Sequence, residues 1–400
     1  MTKIAELDYV ALRPSTIKES WDAESIWSPV IPCFLVRVVA EDGTVGIGEA
    51  TSQVWYLGET AAQIASVLDL YRTRLIGVEA TNLAMANHLM QMSYSGGMPS
   101  GRSAQSGVDM ALHDLLGKLW GVPVSTLLGG ARRKHLDLMT NLYHKTPEAM
   151  AKASADFVSR GFRGLKIKVG DVIWKNGLGA ASIATETGFL EAALDVVPRD
   201  VFIDADANQA WDNVGLTVRL LQRFSGAANL SIEQPLKYDN AEGHREIRQR
   251  STVPVILDES VWSPEAAQNL IRIGACDRIV LKANRVGGLS QARNVIAVCE
   301  AAGVGVSIDT NPYTLVGDTA ICHIGMTTRS HFPICCDGHE TFLKLPDPSV
   351  FSGGVLTDKG YAELPDRPGL GIDVDWQKLR TMSATAKGAA GPTDMPHQSE

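Results

Sequence analysis

The feature that most constrains the fold is a regular succession of eight short strand-like segments in the second part of the chain, with helical stretches between most of them. The candidate strands cover residues 136–143, 164–169, 201–206, 230–233, 253–258, 278–282, 303–309 and 332–337. Strands that alternate with helices predict a parallel α/β sheet, and eight such units favour a βα barrel over an open doubly wound sheet. No G-x-G-x-x-G motif follows any of the strands, which also argues against a dinucleotide-binding sheet.

Ionisable side chains stand at or near the ends of six of these segments. They are Lys166, Lys168, Asp206, Glu233, Asp258, Lys282 and Asp309. In a βα barrel the carboxyl ends of the strands converge on one mouth, and the active site lies at that mouth. Three of the carboxylates, Asp206, Glu233 and Asp258, together with the three lysines predict a bound cation flanked by two amine bases.

Three acidic residues are the candidate ligands of that cation. Asp206, Glu233 and Asp258 follow one another at intervals of about 25 residues, which is one βα unit per step. Their oxygen donors, with no His or Cys nearby, suit a hard cation, and Mg²⁺ fits best because it keeps positions open for water or substrate. Capping of the following helices is the alternative, and it explains a single strand-end acid more readily than three in register. Glu259 is a further candidate, either as a ligand or, like Asn208, as a residue that orients ligands.

The lysines are candidate bases. Lys166 and Lys168 are two residues apart on one strand and therefore point to the same face, where a pair of ammonium groups is costly unless it is used. Crowding beside a divalent cation predicts a lowered pKa; a drop of roughly three units from about 10.4 costs about 4 kcal/mol and gives a base that works near neutrality. Lys282 belongs to the sixth strand, nearly opposite the second. Two lysines on opposite faces of one carbon allow proton removal from one side and return from the other.

Four more residues are candidates for substrate contacts. Trp55 and Tyr56 lie in a loop that ends at a glycine, and either cover the mouth or pack in a core. Asp309 and Asp337 are the final residues of the last two candidate strands, where a carboxylate would balance a substrate ammonium group. Capping of a helix is an equal alternative for Asp337.

The N-terminal part has a different pattern. IPCFLVRVVAEDGTVGIGEA predicts a β-hairpin, and ETAAQIASVLDLYRTRL and SAQSGVDMALHDLLGKLWG predict helices, the second of which ends at Gly121. We expect an α+β domain over residues 1–130, with a linker at 123–130, and a barrel over residues 131–359. Residues 360–380 are expected to return to the first domain, and 381–400 to form a disordered tail.

The composition disfavours several classes of binding partner. The net charge of −8 argues against nucleic acid and anionic membrane, and no apolar run reaches membrane-spanning length. The six cysteines are scattered without a C-x-x-C pair, which favours reduced thiols in a cytoplasm. Neither nucleic acid nor a membrane is therefore an expected partner.

These motifs together resemble the enolase superfamily, in particular its muconate-lactonizing-enzyme subgroup within the mandelate racemase/muconate lactonizing enzyme family. The resemblance rests on residues 106–130 and on the barrel motifs K-I-K, D-A-N-Q-A-W, E-Q-P, D-E-S and L-K-A-N-R-V-G-G, which occur in the same order and cover almost the whole chain. It implies an N-terminal α+β capping domain on a modified (β/α)7β TIM-type barrel, and a homo-oligomer. It also implies one Mg²⁺ on the three acidic residues named above, Lys168 as one base with Lys166 as its modulator, and Lys282 as the opposing acid or base.

The resemblance further implies removal of the α-proton of a carboxylate substrate through an enediolate. A racemase or epimerase of an amino acid or of an N-substituted, proline-like amino acid is favoured, because SIDTNPYTLVGDTAICHIG is similar to relatives that act on proline betaines and hydroxyprolines. A dehydratase, for example of a hydroxyproline, and a muconate-type cycloisomerase share the enolate and stay open. The seventh strand ends in Ser307-Ile308-Asp309 without a His, which disfavours mandelate-type chemistry. A barrel without enzymatic activity would predict gaps in this set of residues, and there are none.

Overall fold

The structure, a computed structural model, describes residues 2–16, 31–52, 54–91, 101–144, 146–177, 179–309, 312–335 and 343–387. The N-terminal unit consists of β1 (Ile4–Leu12), β2 (Ser15–Thr16), β3 (Cys33–Ala40), β4 (Val45–Thr51), α1 (Val54–Leu57), α2 (Ala61–Leu75), α3 (Leu83–Met90), α4 (Arg102–Trp120) and α5 (Val124–Leu127).

This unit contains a three-stranded antiparallel sheet with the order β1-β3-β4. The predicted hairpin is β3–β4, and its turn is closed by Asp42, whose Oδ1 accepts a hydrogen bond from the amide of Thr44 at 3.0 Å. Helix α4 packs on β4 so closely that a Cβ at Gly48 would lie 2.0 Å from the carbonyl oxygen of Gly107. This contact fixes α4 above the sheet.

The barrel unit follows. Its elements are β5 (Leu136–Leu142), α6 (Pro147–Ser159), β6 (Gly164–Lys168), α7 (Asp171–Asn176), α8 (Ala180–Val196), β7 (Phe202–Asp206), α9 (Val214–Gln222), β8 (Leu230–Glu233), α10 (Ala241–Arg250), β9 (Val255–Leu257), α11 (Pro264–Ile273), β10 (Arg278–Leu281), α12 (Ala283–Val286), α13 (Leu289–Ala301), β11 (Gly305–Ile308), α14 (Leu315–Gly325) and β12 (Ile334–Cys335).

Strands β5 to β11 form one parallel sheet in chain order, and β12 pairs in parallel with the other side of β5. The side chain of Ser307 on β11 donates a hydrogen bond to the carbonyl oxygen of Pro333, just before β12, at 3.3 Å. Within the described residues no backbone ladder joins β11 to β12. Seven βα units followed by a strand give the modified (β/α)7β architecture that the sequence predicted, with the carboxyl ends of β6 to β11 at one mouth.

The C-terminal elements are β13 (Leu343–Lys344), a 3-10 helix (Pro348–Val350), β14 (Phe351–Gly353), β15 (Leu356–Asp358), β16 (Tyr361–Glu363), β17 (Ile372–Val374) and α15 (Trp376–Lys387). Strand β16 pairs with β5 of the barrel, whereas α15 packs on β1 of the N-terminal unit. Arg380 of α15 contacts Asp8 at 3.1 Å, and Arg37 lies 6.0 Å above the ring of Trp376. The segment after residue 359 therefore contacts both units.

The structure adds a detail to one expectation about local structure and corrects another. Residues 124–127 of the expected linker form a helical turn, with Pro123 before them as an extended N-cap. Residues 381–387 of the expected disordered tail belong to α15, whose contacts with β1 stabilise the helix. Residues 388–400 lie outside the described residues. In the part of the chain that the structure describes, no helix has both the length and the apolar character needed to cross a membrane.

Candidate active site

The alternation of side chains along β6 places two lysines inside the barrel. Leu165 and Ile167 point toward the surrounding helices and are fully buried, whereas Lys166 and Lys168 point inward. Lys166 is also fully buried, and its Nζ lies 2.9 and 2.8 Å from the two carboxylate oxygens of Glu233. Lys166 is thus held by a two-point contact with a carboxylate from β8.

The three acidic candidate ligands occupy consecutive strand ends. In the parallel ladders Asp206 on β7 stands opposite Glu233 on β8, which in turn stands opposite Ile256 on β9; Asp258 follows two residues later. All three carboxylates are buried, with at most 1% of each residue exposed. The register of the sheet therefore brings them into one row.

One lysine lies at each end of this row. Lys168 Nζ contacts Asp206 Oδ2 at 2.5 Å, and Lys282 Nζ contacts Asp258 Oδ2 at 2.8 Å. Lys282 follows the last residue of β10 and is the N-cap of α12. The two lysines therefore flank the row of carboxylates.

The pKa values of the lysines differ from the expectation. Burial alone would lower the pKa of each one, but the carboxylates in contact with them raise the pKa of Lys168 and raise those of Lys166 and Lys282 well above the ordinary value. The expected lowering assumed a divalent cation beside the lysines. A cation on the same carboxylates would offset their negative charge and so lower these pKa values.

The acidic residues separate into two groups. Burial would raise the pKa of Asp206 and Asp258, but the neighbouring lysines, and for Asp258 also Arg285, lower it. Burial and the other carboxylates raise the pKa of Glu233 well above its usual range and that of Glu259 to about 7. With the neighbouring Asp204, Glu259 and Asp309, the row makes a group of six carboxylates beside four cationic side chains, Lys166, Lys168, Lys282 and Arg285. A further positive charge would offset this excess of acid.

The donor set fits a hard divalent cation. Asp206, Glu233 and Asp258 present only carboxylate oxygens, the donors that Mg²⁺ prefers. Among the described residues no three His, Cys, Asp or Glu side chains already form a metal cage; each of these carboxylates instead contacts a lysine. Gln234 Oε1 accepts a hydrogen bond from the amide of Asp258 at 2.9 Å, which fixes the backbone of this candidate ligand.

Asn208 and Glu259 lie beside the row. The Asn208 amide donates to Asp206 Oδ1 at 2.9 Å, its side-chain oxygen accepts from Lys168 at 3.2 Å, and its side-chain nitrogen donates to Glu259 Oε1 at 3.2 Å. Asn208 therefore links one lysine to two acidic side chains. Glu259 contacts Asn208, whereas its neighbour Asp258 contacts Lys282.

Tyr56 reaches this site from the N-terminal unit. Its hydroxyl donates to Asp258 Oδ2 at 3.2 Å, and Lys282 Nζ lies 4.8 Å from the centre of its ring. The hydroxyl also accepts a hydrogen bond from Arg285. Tyr56 thus lies at the barrel mouth and not in the core of its own unit. The side chain of Trp55 lies outside the described residues.

Of the two aspartates that could balance a substrate ammonium group, the structure describes only Asp309. Asp309 Oδ2 lies 3.3 Å from both Lys166 Nζ and Lys282 Nζ, so it already contacts two cations. Asp337 lies outside the described residues. The role of either residue toward a substrate stays a prediction.

Sequence reasoning missed two residues of the site. Arg285 on α12 is buried, and its Nη2 lies 2.7 Å from Asp258 Oδ1. Asp204 on β7 is buried below Lys166, at 3.5 Å from its Nζ, and within the described residues neither of its carboxylate oxygens accepts a hydrogen bond. The two-residue spacing between Asp204 and Asp206 was a signal that could have identified Asp204.

A cavity of about 330 Å³ lies beside Lys168. It is bounded by the ends of β5 and β6 and by the helices α7 and α8, and its walls include Tyr143, Lys175 and Phe189. Lys175 is paired with Asp171 on the same helix at 2.9 Å. The cavity gives room for a substrate group next to one of the two flanking lysines.

The chain matches known families over most of its length. The mandelate racemase/muconate lactonizing enzyme N-terminal domain matches residues 30–129, and the enolase C-terminal domain-like family matches residues 149–378. The L-Ala-D/L-Glu epimerase of Bacillus subtilis is 29% identical over 84% of this chain and 88% of its own length. The chloromuconate cycloisomerase of Pseudomonas putida is 30% identical over 87% of this chain and 90% of its own length. The crystal structure of the dipeptide epimerase from Enterococcus faecalis V583, complexed with Mg and the dipeptide L-Leu-L-Tyr, has a TM-score of 0.82 and 26% identity and covers 93% of this chain and 99% of that chain.

Proposed function

Because the chain belongs to the mandelate racemase/muconate lactonizing enzyme family of the enolase superfamily, we propose that it is an isomerase, a racemase or epimerase that removes the α-proton of an amino-acid-derived carboxylate and returns it to the opposite face. One observation carries the proposal: Lys168 and Lys282 flank a row of three buried carboxylates, each in contact with the carboxylate at its own end. Two amines on opposite sides of a bound carbon are what a two-base inversion requires.

In this proposal Lys168 and Lys282 exchange roles with the direction of the reaction. The lysine on the side of the departing proton accepts it at Nζ, and the other delivers a proton from its Nζ. Lys166, paired with Glu233, supplies a fixed positive charge beneath them. A divalent cation, Mg²⁺ in this proposal, held by Asp206, Glu233 and Asp258, would supply the charge that stabilises the deprotonated substrate carboxylate.

The proposed substrate is an amino acid with a substituent on its α-nitrogen, which includes dipeptides and proline-like acids. The names of the two epimerases support this class, and the cavity beside Lys168 offers room for the substituent. A muconate-type cycloisomerase is the second candidate, because the chloromuconate cycloisomerase is equally similar to the chain. Both reactions pass through an enolate, so the residues of the row do not separate them.

A screen in D₂O with Mg²⁺ tests the proposal. The panel contains L-Ala-L-Glu, L-Leu-L-Tyr, N-methylproline, 4-hydroxyproline and cis,cis-muconate. Deuterium at Cα together with the opposite configuration in the product supports an epimerase. Lactone formation from muconate supports the cycloisomerase, and loss of water from hydroxyproline supports a dehydratase. If no amino-acid derivative exchanges its α-proton, the proposed epimerase is wrong.

Three further expectations remain proposals. The division into a capping domain over residues 1–130 and a barrel over 131–359 is supported by the two family matches. A cytoplasmic location is supported by the buried free thiols of Cys33, Cys276 and Cys299. The homo-oligomer rests on the family resemblance, and sedimentation velocity tests it.

A further inference from the structure

A carboxylate of the N-terminal unit caps a helix of the barrel. Asp109 on α4 is fully buried, and its Oδ2 accepts a hydrogen bond from the amide of Ser290 at 3.0 Å. Its Oδ1 accepts another from the Ser290 hydroxyl at 2.6 Å. Ser290 is the second residue of α13, whose own N-cap, Gly288, has no side chain to offer. Asp109 therefore accepts the hydrogen bond of a first-turn backbone amide, which is usually accepted by the side chain of the helix's own N-cap residue.

Backbone hydrogen bonds connect this contact to the residue that follows Lys282. The carbonyl oxygen of Ala283, the residue after Lys282, accepts hydrogen bonds from the amides of Gly287 at 3.0 Å and Gly288 at 2.8 Å. Gly288 has a φ of +114°, and a Cβ at this position would lie 2.6 Å from Asp109. Asp109 thus packs directly against the turn that holds the backbone next to Lys282.

The carboxylate of Asp109 is itself held in place. The side-chain nitrogen of Asn87 on α3 donates to Asp109 Oδ1 at 2.9 Å and to the Ser290 hydroxyl at 3.1 Å. The ring of His113, one turn further along α4, lies 3.4 Å from Oδ2. The N-terminal unit therefore offers a rigid support to α13, because both the acceptor and its neighbours are fixed.

We propose that Asp109 is a positioning residue for Lys282: by capping α13 and packing against Gly288, it fixes the turn from which the Lys282 side chain reaches Asp258. The inference rests on the proposed function, since it takes Lys282 to transfer a proton. The N-terminal unit then contributes to proton transfer on one face of the substrate only. Lys168, on β6, receives no such support from Asp109.

The test compares proton exchange at the two faces. Asp109→Asn replaces one of the two acceptor oxygens with an NH2 group, so that either the amide or the hydroxyl of Ser290 loses its acceptor. Ser290→Ala removes the 2.6 Å hydrogen bond while keeping the backbone. The matched control is Asp114→Asn. Asp114 lies on the same helix, is equally buried, and accepts from the amide of Leu370 at 2.7 Å, in a segment that carries no lysine of the site.

We expect Asp109→Asn to slow the Lys282-dependent exchange, assigned with the single lysine variants, by at least about tenfold, and the Lys168-dependent exchange much less. Ser290→Ala should lower the ratio of the Lys282-dependent to the Lys168-dependent exchange rate in the same way, but to a smaller extent. Asp114→Asn should lower the melting temperature without changing the ratio. An unchanged ratio in both Asp109→Asn and Ser290→Ala overturns the proposal; if Asp109→Asn does not fold, Ser290→Ala decides alone.

A second measurement separates this proposal from the proposed function. If the wild-type protein exchanges no compound of the D₂O panel, the proposed epimerase fails, and crystal structures of Asp109→Asn and Ser290→Ala decide the inference. Displacement of Lys282 Nζ from its 2.8 Å contact with Asp258 supports a positioning role. A contact that stays at this distance in both variants overturns it.

Discussion

The hydroxyl of Tyr56 donates a hydrogen bond to Asp258 Oδ2 at 3.2 Å, although the two residues are 202 positions apart in the chain. Tyr56 belongs to the N-terminal unit and Asp258 to the end of a barrel strand. Arg285 donates to the same hydroxyl and contacts the other oxygen of Asp258. The carboxylate at one end of the row is therefore oriented by groups from both units.

Loss of the Tyr56 hydroxyl should reduce activity. Tyr56→Phe keeps the ring beside Lys282 but removes a hydrogen bond to a charged group, which is worth about 1.5–3 kcal/mol. We expect kcat/KM to fall by about 10- to 100-fold, measured by steady-state kinetics. Tyr361→Phe, on β16, is the control and should keep full activity. Wild-type kinetics in Tyr56→Phe would show that the hydroxyl does not orient Asp258.

Each flanking lysine should serve one antipode. Lys168→Ala and Lys282→Ala should each lose net epimerisation by about 10²–10⁴-fold, because a positioned acid or base is removed. Each variant should still exchange the α-proton of one antipode with D₂O, and the two variants should differ in which antipode exchanges. NMR of the recovered substrate measures this. Lys152→Ala, at an exposed position on α6, is the control. Full epimerisation by either site variant contradicts the two-base assignment.

Removal of divalent cations should abolish activity and leave the fold intact. EDTA treatment followed by activity assay and circular dichroism measures both, and Mg²⁺ should restore turnover. Asp258→Asn should raise the Mg²⁺ concentration for half-maximal activity more than Glu259→Gln, because Asp258 stands in the row with Asp206 and Glu233. If Glu259→Gln raises this Mg²⁺ concentration more than Asp258→Asn does, Glu259 is the ligand. A crystal structure with the metal bound elsewhere would show that the proposed metal site is wrong.

Acid should destabilise the protein through two buried histidines. Burial lowers the pKa of His244 and that of His323 to about 4. The unfolded chain takes up these protons near pH 6.5, so between pH 6.5 and 4 the unfolded state binds more protons and the free energy of unfolding falls as the pH falls. From pH 7 to pH 5 we expect a loss of about 2 kcal/mol for each histidine, measured by urea unfolding.

Substitution separates these histidines from other titrating groups. His244→Gln should remove its share of the fall, so that the difference in unfolding free energy between pH 7 and pH 5 becomes smaller than in the wild type. His331→Gln changes an exposed residue and should leave that difference unchanged. Identical pH dependence in His244→Gln and the wild type would mean that His244 does not titrate as described.

The order and register of the site could be predicted because they depend on local rules. A two-residue spacing on a strand placed Lys166 and Lys168 on one face, and strand ends in a βα barrel placed the three acids at one mouth. The same spacing rule, applied to the segment FIDAD, would have placed Asp204 beside Asp206.

Other parts of the site depend on contacts between distant segments. In the sequence, Arg285 lies in a short polar segment before two glycines, a pattern typical of a turn. The structure shows that this segment is the one-turn helix α12, which directs the Arg285 side chain to Asp258. The cap that Asp109 provides for α13 joins residues 181 positions apart. No local pattern encodes such a contact, because it depends on how the two units dock.

The packing of α15 on β1 has a consequence for biosynthesis. Asp8 and Arg380, which pair at 3.1 Å, are 372 positions apart, so the first strand leaves the ribosome long before its partner helix is translated. Until then the side of β1 that α15 covers remains exposed, and the nascent N-terminal unit lacks the ring of Trp376 against Arg37. Completion of that unit therefore waits until α15 has been translated.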